Sequence, residues 1–228
     1  MYSLEEIKLN LELLKKKSKK GLYNLLVARY TKNLYKNFLE NIPSNSRVLD
    51  IGVGDGKSLL ENIDIIKSKG LKIYAVDIDK EEIALFKESI KDKDISHYFE
   101  IYDTSLEDIE DNKIPNGIEY VFFSNSYSVI PNIKDLILYI KKNINPKFVV
   151  ISTTLGGIQN SVLKFIKPNL SKVTLGIEFG RYISYSDFIN ETKIYGFNII
   201  HQEITHSHFL PFWGEVNIFT FILKYSNV

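Results

Sequence analysis

Blocks of apolar and polar residues divide the chain into predicted helices and strands. Apolar positions at helical spacing predict helix over residues 3–40, interrupted at Gly21. Turn-forming residues at 41–46 end this region. From there on, short apolar runs typical of buried strands alternate with helical patterns at 57–69, 80–91, 133–143 and 187–195. The predicted strands are 47–51, 72–77, 97–102, 118–124, 148–152, 197–204 and 217–225.

This alternation predicts an α/β fold with a seven-stranded, mostly parallel, doubly wound sheet. No helix separates the last two strands, so they must pair directly, and we expect the last strand to be antiparallel. Residues 1–42 are predicted to form an N-terminal helical extension, and residues 43–228 the α/β domain. Residues 155–183 do not fit the alternation, and an insertion of this length is typical of a lid or binding loop.

The composition narrows the classes of function. The 228 residues carry a formal net charge of +1 and no cysteine, which excludes disulfides and a cysteine nucleophile. Since the charge is balanced, nucleic acid is not an expected partner. No apolar run reaches the ~20 residues that span a bilayer, so we expect a cytoplasmic protein that contacts no membrane. No metal site is expected, because His206 and His208 have no evident third ligand.

One glycine-rich turn carries the strongest functional signal. Asp50 ends the first strand, and Gly52, Gly54 and Gly56 follow before a predicted helix. Such a turn lets a ligand approach the backbone and the free N–H groups of the helix start. A P-loop would need a glycine where Ile51 stands. A dinucleotide site has a different glycine spacing and would place a pyrophosphate beside the Asp50 carboxylate, which repels it. A cationic nucleoside without phosphates suits this acid better.

The segment Asp50-Ile51-Gly52-Val53-Gly54-Asp55-Gly56 resembles motif I of the class I, Rossmann-like S-adenosylmethionine-dependent methyltransferases. The resemblance covers about residues 45–228 and implies S-adenosyl-L-methionine as cofactor, bound at this turn. It also implies roles for residues at later strand ends. Asp77, 21 residues after the last glycine, would accept from the ribose hydroxyls, and Ile78 would pack on adenine. Asp103, with Thr104 beside it, would contact the adenine amino group.

The resemblance also suggests where methyl transfer would occur. Asn125 follows the fourth strand and is expected beside the reactive methyl. It is a predicted cofactor contact, and both Asn125 and Tyr127 are candidate catalytic residues. The prolines that follow this position in enzymes that methylate base amino groups are missing here. The leading acceptor is therefore a small molecule, methylated on an O or N atom. His206 and His208, in a predicted loop at 205–215, are candidate acid–base groups.

The regions outside the sheet are expected to complete the site. N-terminal helices cover the cofactor in many relatives of this family, which implies the same role for residues 1–42 and places Tyr30 near the cofactor. In the insertion, Phe179, Arg181 and Tyr182 would line the acceptor pocket, and Arg181 would face an anionic group. Two rival functions stay open: a protein or RNA methyltransferase that docks through the lysine-rich run 15–20, and a module that binds the cofactor without transferring methyl. A homodimer also stays open.

Overall fold

The structure is a computed structural model that describes residues 30–106, 108, 114–156, 181, 183–210 and 214–226. Helix α1 covers residues 30–41. The other helices are α2 (Lys57–Leu60), α3 (Ile63–Lys69), α4 (Lys80–Ile90), α5 (Ile133–Tyr139), which a π-helical turn Ile140–Ile144 continues, and α6 (Tyr185–Ile194). The strands are β1 (Arg47–Ile51), β2 (Lys72–Val76), β3 (Phe99–Tyr102), β4 (Tyr120–Ser124), β5 (Phe148–Gly156), β6 (Phe197–Leu210) and β7 (Gly214–Tyr225).

All of these strands form a single sheet in the order β3-β2-β1-β4-β5-β7-β6. Strands β1 to β5 pair in parallel, and β7 pairs antiparallel with both β5 and β6. The predicted fold class is confirmed, including the antiparallel last strand. Strand order reverses at β1, which has β2 on one side and β4 on the other. In open α/β sheets the crevice for ligands lies at such a point, beyond the carboxyl ends of the strands.

Apolar side chains cover both faces of the sheet. On one face, Phe38 of α1 stacks on Phe122 of β4, with ring centroids 4.2 Å apart. On the other face, Phe188 of α6 packs against Phe221 of β7 at 4.4 Å. The side chains of Phe122, Phe188 and Phe221 are fully buried. Burial of one such aromatic ring stabilises the fold by about 1.5–3 kcal/mol. Helix α1 is therefore part of the core and lies directly over the central strands.

The hairpin of the last two strands is longer than its sequence predicts. Strand β6 continues to Leu210 and β7 begins at Gly214, so most of the predicted loop 205–215 is paired strand. Strand β5 likewise continues to Gly156, because β7 pairs with it over that whole length. The prediction was wrong here because polar residues interrupt the apolar alternation in β6. Register shifts before His201 and before His206 mark irregularities in the same strand.

Two helix boundaries also differ from the prediction. The helix predicted at 57–69 is divided into α2 and α3, and Asn62 between them donates from Nδ2 to the carbonyls of Ser58 and Lys32. Helix α6 begins two residues before the predicted start at 187, and Ser184 caps it, since the Ser184 hydroxyl accepts from the Asp187 N–H. Residues 1–29, 107, 109–113, most of the insertion, 211–213 and 227–228 lie outside the described residues. Among the helices that are described, none is both long and apolar enough to cross a membrane.

Candidate functional site

The turn between β1 and α2 has three glycines with left-handed backbone, but their surroundings differ. Gly52, Gly54 and Gly56 have φ of 78°, 61° and 67°. A Cβ at Gly52 would collide with the Cβ of Ser126, and a Cβ at Gly56 would lie 2.5 Å from the Phe86 ring. A Cβ at Gly54 would have nothing within 4 Å. The outer two glycines therefore allow close packing, whereas Gly54 faces open space that a ligand can occupy.

Asp77 links this turn to the next helix. It directly follows β2, and its Oδ2 accepts from the Gly54 N–H at 2.8 Å while its Oδ1 accepts from the Asp79 N–H at 2.9 Å. The side chain is half-buried. Each carboxylate oxygen can accept a further hydrogen bond. Next to it, Ile78 is 70% exposed, an unusual position for a large apolar side chain. Asp77 and Ile78 thus place two acceptor atoms and an apolar surface beside the open glycine.

Asp50 is buried at the carboxyl end of β1. Its Oδ2 accepts from the Tyr35 hydroxyl at 2.8 Å, and its buried Oδ1 has no hydrogen-bond partner among the described residues. Burial raises the pKa of Asp50 to about 7, and the charge of Asp77 adds to this, whereas the Tyr35 hydrogen bond lowers it. An oxygen without a donor at the ligand edge of the sheet fits a site that receives a hydrogen-bond donor.

A second such acceptor follows β4. Asn125 has a left-handed φ of 59°, and its N–H donates to the Ser152 carbonyl at 2.8 Å. Its Oδ1 is buried and has no partner in the described part of the chain. The next residue, Ser126, donates from its hydroxyl to the Ile51 carbonyl, which holds the turn after β4 against the glycine turn. The structure therefore brings Asp50 and Asn125, which follow the paired strands β1 and β4, to the same edge of the sheet.

Asp103 and Thr104 follow β3, one strand further out. The Asp103 carboxylate is exposed and lies 3.6 Å from the Lys87 ammonium, a surface ion pair. The Asp77 N–H donates to the Tyr102 carbonyl at 3.2 Å, so Asp77 and Asp103 lie on neighbouring strand ends. Thr104 is half-buried. Of the predicted adenine contacts, Ile78 has the clearer structural support.

A cavity of about 350 Å³ lies between α1 and β6. Tyr30, Asn33, Leu34 and Asn37 line it from the helix, and residues 203–206 line it from the strand. The ring of Tyr30 lies 4.4 Å from the ring of His206. His208 pairs with Val216 in the sheet, and its side chain lies outside the described residues. The cavity thus contains two of the predicted site residues, Tyr30 and His206.

The sequence does not predict the pair of Asn37 and Glu203 in this cavity. The Asn37 Nδ2 donates to Glu203 Oε1 at 2.6 Å, across 166 positions of sequence. The only signal for the helix side was the spacing of Tyr30, Leu34 and Asn37, which places them on one face of α1. No local pattern marks Glu203, because its role depends on pairing between strands.

No protein-family model and no curated protein matches the sequence. The fold, however, resembles solved structures. The cyclopropane synthase MmaA2 from Mycobacterium tuberculosis matches with a TM-score of 0.63 at 12% identity, over 84% of this chain and 83% of that one. A putative sarcosine dimethylglycine methyltransferase from Galdieria sulphuraria matches with 0.60 at 12%, over 88% and 85%. A methyltransferase from Thiobacillus denitrificans in complex with S-adenosyl-L-homocysteine matches with 0.58 at 9%, over 87% and 91%.

The chain has the class I methyltransferase fold. At such low identities the likeness concerns the fold alone, and residue roles have to come from the geometry of this chain. The seven-stranded sheet with its antiparallel last strand, which the sequence predicted, is that of this fold. In this fold the glycine turn lies where the strand order reverses, between β1 and β4.

Two residues that were predicted to act on the acceptor are instead bound to Glu191 of α6. Tyr127 is fully buried, and its hydroxyl donates to Glu191 Oε2 at 2.9 Å; burial, together with the Glu191 carboxylate, raises the pKa of this tyrosine. Arg181 forms a two-point ion pair with the same carboxylate, at 2.6 and 2.9 Å. The Arg181 N–H also donates to the Ser128 carbonyl. The catalytic role of Tyr127 and the anion-binding role of Arg181 therefore have no support in this structure. Phe179 and Tyr182 lie outside the described residues.

Proposed function

We propose that this protein is an S-adenosylmethionine-dependent methyltransferase that methylates an O or N atom of a small-molecule acceptor. The observation that carries the proposal is the glycine turn itself. Gly54 opens onto empty space, and Asp77, which accepts from the Gly54 N–H, has acceptor capacity left. Asp50, at the end of the strand before this turn, has an Oδ1 without a partner among the described residues. A cofactor that offers two hydroxyls at one end and an ammonium group at the other matches these acceptors.

The residues present fit this cofactor. Asp77 would accept from the ribose hydroxyls, Ile78 would cover one face of adenine, and Asp103 would reach its amino group. The Oδ1 atoms of Asp50 and Asn125 are two acceptors for the ammonium group of the methionine part. The Asp50 carboxylate would attract the positively charged groups of this cofactor, whereas it would repel a phosphate. When bound, the cofactor supplies a methyl group made electrophilic by the positively charged sulfur.

The cavity under α1 supports a small acceptor. Its volume of about 350 Å³ is within the range of small-molecule sites. Its strand wall is level with the end of β4, because Ser124 pairs with Ser152, Ser152 with Thr220 and Thr220 with Glu203. An acceptor in the cavity would therefore lie along the carboxyl edge of the sheet, where ligands bind in this class of fold.

His206 is our candidate for an acid–base or substrate-orienting group that contacts the acceptor in the cavity. Its ring lines the cavity beside Tyr30, and an imidazole accepts protons near neutral pH. Methyl transfer depends mainly on alignment of the nucleophile, so loss of a base slows it only where the nucleophile carries a proton. Asn125 would contact the cofactor, and Tyr30 would contact the acceptor.

The proposal is tested by titration of S-adenosylmethionine into the protein in a calorimeter, followed by a screen of amine and alcohol acceptors with mass-spectrometric detection of methyl transfer. Binding with turnover on a small acceptor supports the proposal. Binding without turnover on any acceptor would favour a cofactor-binding module, and turnover only on RNA or protein would favour the macromolecular rival. Absence of cofactor binding contradicts the proposal as a whole. With an acceptor in hand, His206→Ala and His208→Ala test the acid–base role, and unchanged turnover removes either residue from it.

A further inference from the structure

The cavity between α1 and β6 has the lining of a site for a positively charged group. Glu203 supplies its one carboxylate, and no lysine or arginine is among the described residues that line it. The remaining lining is amide, hydroxyl, aromatic and aliphatic. A lining with one carboxylate and no lysine or arginine favours a cationic ligand over an anionic one.

A chain of hydrogen bonds holds the Glu203 carboxylate in place. Asn41 donates from Nδ2 to Asn37 Oδ1 at 3.0 Å, and Asn37 donates from Nδ2 to Glu203 Oε1 at 2.6 Å. The first bond orients the Asn37 amide so that its NH₂ group faces the carboxylate. The other carboxylate oxygen lies 3.9 Å from His201 Nε2, outside hydrogen-bond distance. The carboxylate is thus fixed at one oxygen and retains acceptor capacity for a ligand.

Two aromatic side chains line the same cavity as this carboxylate. Tyr30 and His206 contribute aromatic surface to the same cavity, with centroids 4.4 Å apart and planes inclined by 40°. The face of a tyrosine ring attracts an ammonium group through its quadrupole. A carboxylate together with an aromatic face is a combination that recognises amines.

The position of the cavity relates it to methyl transfer. Glu203 belongs to the row of paired residues that begins at Ser124, the last residue of β4. Three strand spacings separate the two, or about 14 Å. A single small molecule can span that distance, with one end at Glu203 and the other at the end of β4.

We propose that this cavity binds the ammonium group of the methyl acceptor, with Glu203 as its counter-ion, so that the acceptor is an amine-bearing small molecule. Asn37 is a positioning residue that acts through Glu203. The proposal rests on the transferase function proposed above, but the cation site can be tested separately from it.

The test uses benzylamine and benzyl alcohol, which have similar shape and differ in charge. Each is titrated by saturation-transfer NMR into the full chain with S-adenosyl-L-homocysteine present. The wild-type protein is expected to bind the amine about fivefold more tightly than the alcohol, the gain expected of one half-exposed ion pair. Glu203→Gln keeps the oxygen that accepts from Asn37, so it should remove this preference and leave the affinity for the alcohol unchanged. Equal affinity for the two probes in the wild type, or a preference that survives Glu203→Gln, overturns the proposal.

Glu100→Gln is the matched control. Its side chain is 43% exposed against 42% for Glu203, and it lies on β3 at the opposite edge of the sheet. This variant should keep the full preference for the amine, and loss of the preference there would contradict a local effect of Glu203. Calorimetry with S-adenosyl-L-homocysteine separates the two proposals. Failure of the wild type to bind it refutes the transferase function, whereas binding without any amine preference refutes the cation site alone.

Discussion

The hydroxyl of Tyr35 donates a 2.8 Å hydrogen bond to Oδ2 of Asp50, and both side chains are almost completely buried. Tyr35 belongs to α1, and Asp50 ends β1. This bond therefore connects the helix that covers the sheet to the acid that begins the glycine turn. It also means that the position of α1 and the charge of Asp50 affect each other, which the following variants can measure.

Tyr35→Phe removes the donor and leaves the Asp50 carboxyl without this partner. We expect a loss of about 1–3 kcal/mol in the free energy of unfolding at pH 8, where the carboxyl is charged and the bond is strongest. The loss should be smaller at pH 5, because the folded-state pKa of Asp50 is about 7 and the group is then neutral. Urea denaturation at both pH values measures the difference. Tyr98→Phe, beside the outer strand β3, is the control, and an equal loss at both pH values would contradict the link to the Asp50 charge.

Asp50→Asn tests the cost of the buried charge directly. The folded-state pKa of about 7 is above the unfolded value of 3.8, so the folded protein binds the extra proton between these values. The stability contributed by this group is therefore complete below pH ~4 and declines as the pH rises to ~7. In the absence of cofactor, Asp50→Asn should be more stable than the wild type at pH 8, by on the order of 2–4 kcal/mol, with little difference at pH 4. A difference between the two proteins that does not change with pH would show that Asp50 titrates normally.

Asp77→Ala should weaken binding of S-adenosyl-L-homocysteine at least tenfold, because two charge-assisted hydrogen bonds to the ribose are lost. Calorimetry measures the affinity, and circular dichroism shows that the protein is folded. Asp79→Ala is a close control, since Asp79 caps α4 by accepting from the Glu81 and Glu82 N–H groups. That change should cost about 1 kcal/mol of stability and leave the affinity unchanged. Equal affinity of wild type and Asp77→Ala would refute the ribose assignment.

Local sequence was sufficient to predict the fold class and the residues of the glycine turn. Turn residues, short apolar runs and strand-end acids are local signals, because each depends only on residues close together in the sequence. They predict Asp50, Asp77 and Asn125 at one edge of a parallel sheet. The structure has this arrangement. The unpartnered oxygens of Asp50 and Asn125 are consistent with it, although they are visible only once the packing is known.

The features that sequence did not predict depend on distant contacts. The Asn37–Glu203 bond joins residues 166 positions apart, and no periodicity reports such a pair. The length of the last hairpin depends on pairing between β6 and β7, whose polar residues hide the alternation. Tyr127 was interpreted as a loop residue near the methyl group because it follows β4, but its side chain turns into the core and bonds Glu191. The sequence pattern shows that Tyr127 follows β4, but it does not show the direction of the Tyr127 side chain.

The glycines of the turn offer a comparison between packing and binding. Gly54→Val places a branched side chain where the structure has nothing within 4 Å of an added Cβ. Its positive φ of 61° makes the change cost about 1–2 kcal/mol in folding, but the protein should stay folded. Because the new side chain fills the space assigned to the cofactor, binding of S-adenosyl-L-homocysteine should be lost in calorimetry.

Gly56→Ala is expected to act on packing and stability, and not by filling the space assigned to the cofactor. Its φ of 67° gives a similar backbone cost, but the added Cβ would lie 2.5 Å from the Phe86 ring, so the core around α4 has to shift. We expect a larger loss of stability than for Gly54→Val, by about 1–3 kcal/mol, on account of overpacking. Thermal denaturation of the two variants, with circular dichroism as readout, gives the ranking. If Gly54→Val binds the cofactor like the wild type, this turn is not the cofactor site, whatever the stability of Gly56→Ala.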